Sequence, residues 1–179
     1  MNLARQILED DKGLFAGMRS CLSEGYTASA LALAYSLIDV LAWLGLPDRE
    51  EDVSSDDFIA WANKYVIPFG SFDCTGEDLY AARCGVLHTS TPSARRVRQG
   101  RAVPIVYSWG NKRPYPRAKL ESYGMTWIML HVDSLCAATE RGASVFWEDL
   151  ERDPARLTAA NVRADMLLKD APNLPSELP

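Results

Sequence analysis

Tyr26-Thr-Ala-Ser-Ala-Leu-Ala-Leu-Ala-Tyr-Ser-Leu-Ile-Asp-Val-Leu-Ala-Trp-Leu44 is the stretch that decides how this chain folds. Wound as a helix it is apolar all round, which fits either a membrane span or the middle of a bundle. Thr27, Ser29 and Ser36 dilute the run, and Asp39 sits in its second half. No Lys or Arg lies within it or close by on its N-terminal side. A charge near the bilayer centre costs about 2.5–3.5 kcal/mol on insertion scales. The run therefore reads as a core helix over 26–44, stopped by Gly45 and Pro47.

Outward from that helix, Leu3, Ile7, Leu8, Leu14, Phe15, Met18 and Leu22 recur every three or four residues and predict one amphipathic first helix, broken at Gly25. On the other side an acidic loop, 48–52, leads to Ser54-Ser-Asp-Asp57, a capping signal for a helix through Trp61 to Val66 that Pro68 and Gly70 end. Thr75-x-x-Asp78 opens a further helix carrying Arg83 and His88, and Pro92 marks its end. Val, Ile, Tyr and Trp within 102–109 read as a strand, with Pro104 confining it to an edge or to its start. After a turn region at 110–116, residues 125–132 pair with it as a β-hairpin or form the first turns of the next helix; the hairpin is the favoured reading. Asp133 is placed to N-cap a helix over 134–150, ended by Asp153-Pro154. A short amphipathic stretch at 157–168 precedes a tail, 170–179, whose prolines predict flexibility. The expected architecture is mainly α: one domain over 1–179, a helical bundle of about five helices with a small β-hairpin insertion.

With 179 residues, 47% apolar and 24% charged, the chain is long enough for a real core and too apolar for disorder. Its pI near 5.1 argues against a general nucleic-acid coat protein but leaves room for a local anion site. The four cysteines, Cys21, Cys74, Cys84 and Cys136, lack a Cys-x-x-Cys pair, and the two histidines are far apart, so neither a disulfide framework nor a metal site is expected. No cofactor is expected either. The N-terminus lacks the apolar region of a signal peptide, and a cytoplasmic location without membrane attachment is expected.

Against a net charge of −5, the window between Asp78 and Glu121 contains no carboxylate. Its charges are Arg83, Arg95, Arg96, Arg98, Arg101, Lys112, Arg113, Arg117 and Lys119. An imidazole can take a proton from a ribose 2′-hydroxyl at neutral pH, and a guanidinium can stabilise charge growing on a phosphate. Arg83 and His88 supply both groups. Five residues place them about 140° apart around a helix and about 7.5 Å along it, so a shared site requires the Arg stem to reach round or a second copy of the helix to contribute. Gly85, one turn before His88, leaves the imidazole uncovered on that side.

The Arg-x-x-x-x-His pattern of Arg83 and His88 at a helix end, behind a long apolar helix with the single acid Asp39, resembles the HEPN superfamily of small helical proteins. The likeness spans roughly 3–90 and the helix near 134–150, with the hairpin as an insertion. It implies a metal-independent endoribonuclease, His88 as general base, Arg83 stabilising phosphate, a homodimer, and a toxin or defence role with a nucleotidyltransferase-like antitoxin partner. Single-stranded RNA would track along Arg95, Arg96, Arg98, Arg101, Lys112, Arg113 and Arg117, stacking on Tyr107, Trp109 and Tyr115. One departure is Cys84, where nuclease members carry a polar residue after the Arg; a thiol is a weak hydrogen-bond partner, which favours the alternative of a non-catalytic RNA- or protein-binding module.

Plainer readings stand beside these. His88 suits a helix C-terminus as a cap. Arg83 is the natural partner for Asp39 on an apolar helix. The arginines of 95–101 fit an ordinary solvated loop, His131 a satisfied core or interface residue rather than a ligand, and Trp43, Trp61, Trp127 and Trp147 the core.

Overall fold

The periodic residues at the N-terminus fold as two helices rather than one, α1 (Leu3–Glu9) and α2 (Leu14–Ser23). The break falls at Gly13, where a Cβ would sit 2.5 Å from the Leu8 carbonyl oxygen. Only a residue without a side chain lets the strand of backbone turn so closely onto the end of α1. The computed structural model describes residues 2–47, 52–88, 91–92 and 94–167. Most of the acidic loop, 48–51, and the tail 170–179 lie outside the described residues.

The apolar run forms α3 (Thr27–Leu44). By length and composition it could cross a membrane, but Leu31, Tyr35, Leu37, Ile38 and Leu41 are buried within the bundle. Next comes α4 (Ser55–Tyr65), opened by a full capping box in which Asp57 accepts the Ser54 N–H at 2.8 Å and Ser54 Oγ accepts the Asp57 N–H at 3.3 Å. A short 3₁₀ turn at Ile67–Phe69 leads to α5 (Gly76–His88) and the single turn α6 (Arg95–Arg98). The remaining elements are β1 (Ile105–Ser108), α7 (Arg117–Ser122), β2 (Ile128–His131), α8 (Val132–Glu151) and α9 (Pro154–Ala164).

The mainly helical class stands, with more helices than the five or so expected. The hairpin does not: β1 and β2 pair in parallel, Ile105 opposite Ile128 and Ser108 opposite His131. Parallel strands need a crossover, and residues 109–127 provide one, with α7 at its centre. Pro116 before α7 and Gly124, at φ 73°, just after it are the start and stop signals within what reads as a turn region. Asp133 is not a cap. The strand runs straight into α8, which begins at Val132, and Asp133 accepts the Gly110 N–H at 3.2 Å instead.

α3 lies against α2, α4 and α8. Between α4 and α8, Phe146 meets Trp61 and Tyr65 edge-on, with ring centroids 5.7 and 5.4 Å apart. Trp147 is fully buried and donates to Glu9 at 2.9 Å. Trp127, expected in the core, is 46% exposed on the crossover. At the far end, buried Arg163 of α9 donates to the carbonyls of Leu46 and Pro47 just past α3, which satisfies a charge that burial would otherwise penalise. The Leu3 N–H donates to Asn161 Oδ1 at 2.8 Å and ties α1 to α9.

Candidate functional site

Both ends of α5 are fixed by close backbone contacts. At its start Asp78 accepts the Thr75 N–H at 2.9 Å through Oδ2, and the Val103 N–H at 2.7 Å through Oδ1. The Gly76 N–H donates to Asn63 Oδ1 at 2.8 Å. Near its end a Cβ on Gly85 would overlap the Thr91 carbonyl oxygen, and the Thr91 N–H donates back to the Gly85 carbonyl at 3.3 Å. Gly85 is therefore required where the chain folds back over α5.

On this helix Arg83 reaches two partners. Its Nε donates to Asp39 Oδ2 of α3 at 2.7 Å, the pairing the lone acid on that helix called for. Its Nη1 lies 3.3 Å from His88 Nε2 and 4.0 Å from Cys84 Sγ. The Arg stem thus covers the angular separation on the helix, and one copy of the chain brings Asp39, Arg83, Cys84 and His88 together. A guanidinium has only donors, so its contact with Nε2 is a hydrogen bond when that nitrogen carries the lone pair and Nδ1 the proton. His88 is exposed at the helix end, while Arg83 and Asp39 are about four-fifths covered, with side chains 23% and 19% exposed. Burial pushes the Asp39 carboxyl above the ordinary carboxylate range, with the guanidinium pulling the other way. Burial also works against the Arg83 charge, but the Asp39 carboxylate outweighs it and holds the guanidinium above its usual value.

The window without acids in sequence is not without acids in space. Glu77, in the first turn of α5, pairs with Arg96 and lies 3.3 Å from Arg101. Arg96 also donates to Ser55 Oγ at 2.9 Å and stacks on the Tyr80 ring at 4.8 Å, so it is committed to the fold. Arg117 pairs with Glu121 at 2.9 Å, and its backbone N–H donates to Asp73 at 3.0 Å. Arg95, Arg98, Lys112 and Arg113 are exposed. A cleft of about 410 Å³ runs from Tyr80 and Cys84 to Arg95, Arg96 and Arg101, which places part of the basic segment next to the neighbour of Arg83.

Tyr107 turns inward: its hydroxyl is 2.9 Å from that of Tyr35, and burial pushes both phenols up. Trp109 and Tyr115 stay about half exposed. His131 is satisfied, with Nε2 3.0 Å from the Gly110 carbonyl and Nδ1 3.4 Å from Asp133. Glu77 and Tyr80 were not singled out from the sequence; their spacing of three on α5 is ordinary, and only the fold brings Arg96 to both. All four cysteines are free thiols. Among the described residues no three His, Cys, Asp or Glu side chains cluster as a metal-ligand set. Comparison with protein-family models, with curated proteins and with solved structures finds no match.

Proposed function

We propose that the chain is a metal-independent endoribonuclease of the HEPN type, with His88 as general base and Arg83 as the phosphate-stabilising cation. The observation that carries the reading is the 3.3 Å approach of Arg83 Nη1 to His88 Nε2, with the arginine anchored on Asp39. In the reaction, Nε2 takes the proton of a ribose 2′-hydroxyl, and the 2′-oxygen attacks the adjacent phosphorus. The bond to the 5′-oxygen breaks, and that oxygen takes a proton from the imidazolium or from water. The products are a 2′,3′-cyclic phosphate and a 5′-hydroxyl. Arg83 faces the charge that builds on the non-bridging oxygens, and a fork of N–H donors suits that task. Substrate phosphate must draw Nη1 away from Nε2 before the imidazole can act.

The test is purified protein in EDTA on labelled single-stranded RNA. Wild type is expected to cleave, and His88→Ala and Arg83→Ala to lose about a hundredfold or more. Cleavage by His88→Ala at the wild-type rate sinks the assignment. In the same reading the protein acts as a homodimer in a toxin or defence setting, opposed by a nucleotidyltransferase-like partner. A monomer at every concentration in analytical ultracentrifugation removes the dimer.

A second reading, a non-catalytic HEPN-like RNA- or protein-binding module, is favoured by Cys84 and by the occupation of Nε2 by the arginine. It predicts RNA binding that survives His88→Ala with no turnover in either protein.

A further inference from the structure

We propose that the crossover between β1 and β2, residues 109–127, is a stacking platform for single-stranded nucleic acid that accepts DNA and RNA alike. Every residue of it except Leu120 is exposed. Four large rings stand in solvent there: Trp109, Tyr115, Tyr123 and Trp127 are 47%, 53%, 69% and 46% exposed. Exposed aromatic groups concentrated in one segment, rather than scattered singly, mark a contact surface.

The chemistry of the contact follows from what accompanies the rings. The Lys112 ammonium lies 5.1 Å over the Trp109 ring, and Lys119 lies 4.8 Å over that of Tyr115. An aromatic face beside a cation matches the repeating unit of a single strand, a planar base beside a phosphate. The charge is complementary as well: within the segment Lys112, Arg113, Arg117 and Lys119 outnumber its single acid, Glu121, in a chain whose net charge is −5. A lipid surface would ask for aliphatic side chains, and Met125 is the one large aliphatic exposed in this segment.

The platform is held in shape by the body of the protein. The Gly110 N–H donates to Asp133, the Gly110 carbonyl lies 3.0 Å from His131 Nε2, and the Arg117 N–H is fixed on Asp73. Less ordering is then left to be done on binding. Base stacking is indifferent to the sugar, so discrimination by the 2′-hydroxyl is not built into this surface. The inference goes beyond the Arg83–His88 chemistry and stands without it.

The experiment is fluorescence anisotropy of short labelled oligo(dT) and oligo(U), the latter in the 2′-O-methyl form that 2′-oxygen attack cannot cleave, with the tryptophan emission of the protein followed in parallel. Both oligonucleotides are expected to bind with comparable affinity and to quench tryptophan, and log K should fall with log salt with a slope of about −2. Trp109→Ala and Trp127→Ala should each weaken binding about tenfold, and the charge-reversed pair Lys112→Glu with Lys119→Glu should abolish it. The charge-reversed pair is exposed and leaves the core intact, so it decides the matter if a tryptophan variant unfolds. Absence of oligonucleotide binding, binding of oligo(U) without oligo(dT), affinity unchanged in the double tryptophan variant, or capture by phosphatidylglycerol vesicles in place of oligonucleotide would each overturn the proposal. A His88-dependent cleavage that persists in these variants separates failure of the platform from failure of the catalytic reading.

Discussion

The Arg83 guanidinium donates through Nε to Asp39 and lies through Nη1 against His88, so loss of one partner has a different consequence from loss of the other. Asp39→Ala leaves a mostly covered cation without its carboxylate and should cost about 1–2 kcal/mol in urea unfolding, less than a fully buried pair because water still reaches it. The burial that raises the Asp39 carboxyl makes its folded value higher than its unfolded one. Its own contribution is then most favourable when protonated and is lost as pH rises through the folded value, so Asp39 should not be a driver of acid unfolding. Asp39→Asn, which keeps an acceptor for Nε, should stay within about 1 kcal/mol of wild type near neutrality; a larger loss there would show that the carboxylate charge, not its geometry, holds Arg83. This pairing was legible in the sequence because a single acid on an apolar helix leaves few ways to be satisfied. The ties of Glu77 to Arg96 and Arg101 were not, since nothing local links residues 19 and more apart until the chain is folded.

Among the elements, α4 and α8 come close together at Gly142, where a Cβ would overlap the Tyr65 carbonyl oxygen. Gly142→Ala should destabilise by about 1–3 kcal/mol or more, read from the thermal or urea midpoint, because neither helix backbone can give way cheaply. The same two helices are linked by Asp149, which accepts from Lys64 Nζ at 2.9 Å and from the Tyr65 hydroxyl at 2.8 Å. These bonds hold its carboxyl below the ordinary carboxylate range. A lowered folded value means the stabilisation is present above the unfolded value and disappears as pH falls through the folded one. Asp149→Asn should therefore cost at most about 1 kcal/mol near neutrality and nothing in strong acid; an equal loss at both would refute the linkage. Helix starts were readable from sequence because capping boxes at Ser54 and Thr75 are written within four residues. The direction of the strand pair was not, because two short strands look alike whichever way they run and only α7, hidden behind prolines and a glycine, makes the parallel crossover necessary.

For the molecule as a whole, global opening should govern half of its thiol chemistry. Burial pushes the Cys74 and Cys136 thiols up to about 12, while Cys21 and Cys84 are only partly covered. Because the thiolate is the reacting form, an aromatic disulfide reagent should modify Cys21 and Cys84 first and reach the other pair at the rate of unfolding, a difference that urea abolishes. Equal rates for all four in native buffer would contradict the packing described. At this scale the central helix was decisive in the sequence as in the structure, whereas Trp127 was misplaced because hydrophobicity alone puts a tryptophan inside. One further property comes from the contact between α1 and α9, fastened by the Leu3 N–H on Asn161. It closes the described chain into a loop whose two ends are neighbours. A circular permutant with a flexible linker from Leu167 to Asn2 and new termini cut at Arg113, in the exposed crossover, should keep the native circular dichroism and a cooperative melt. The order in which the helices are synthesised would then be free to change while their packing stays the same.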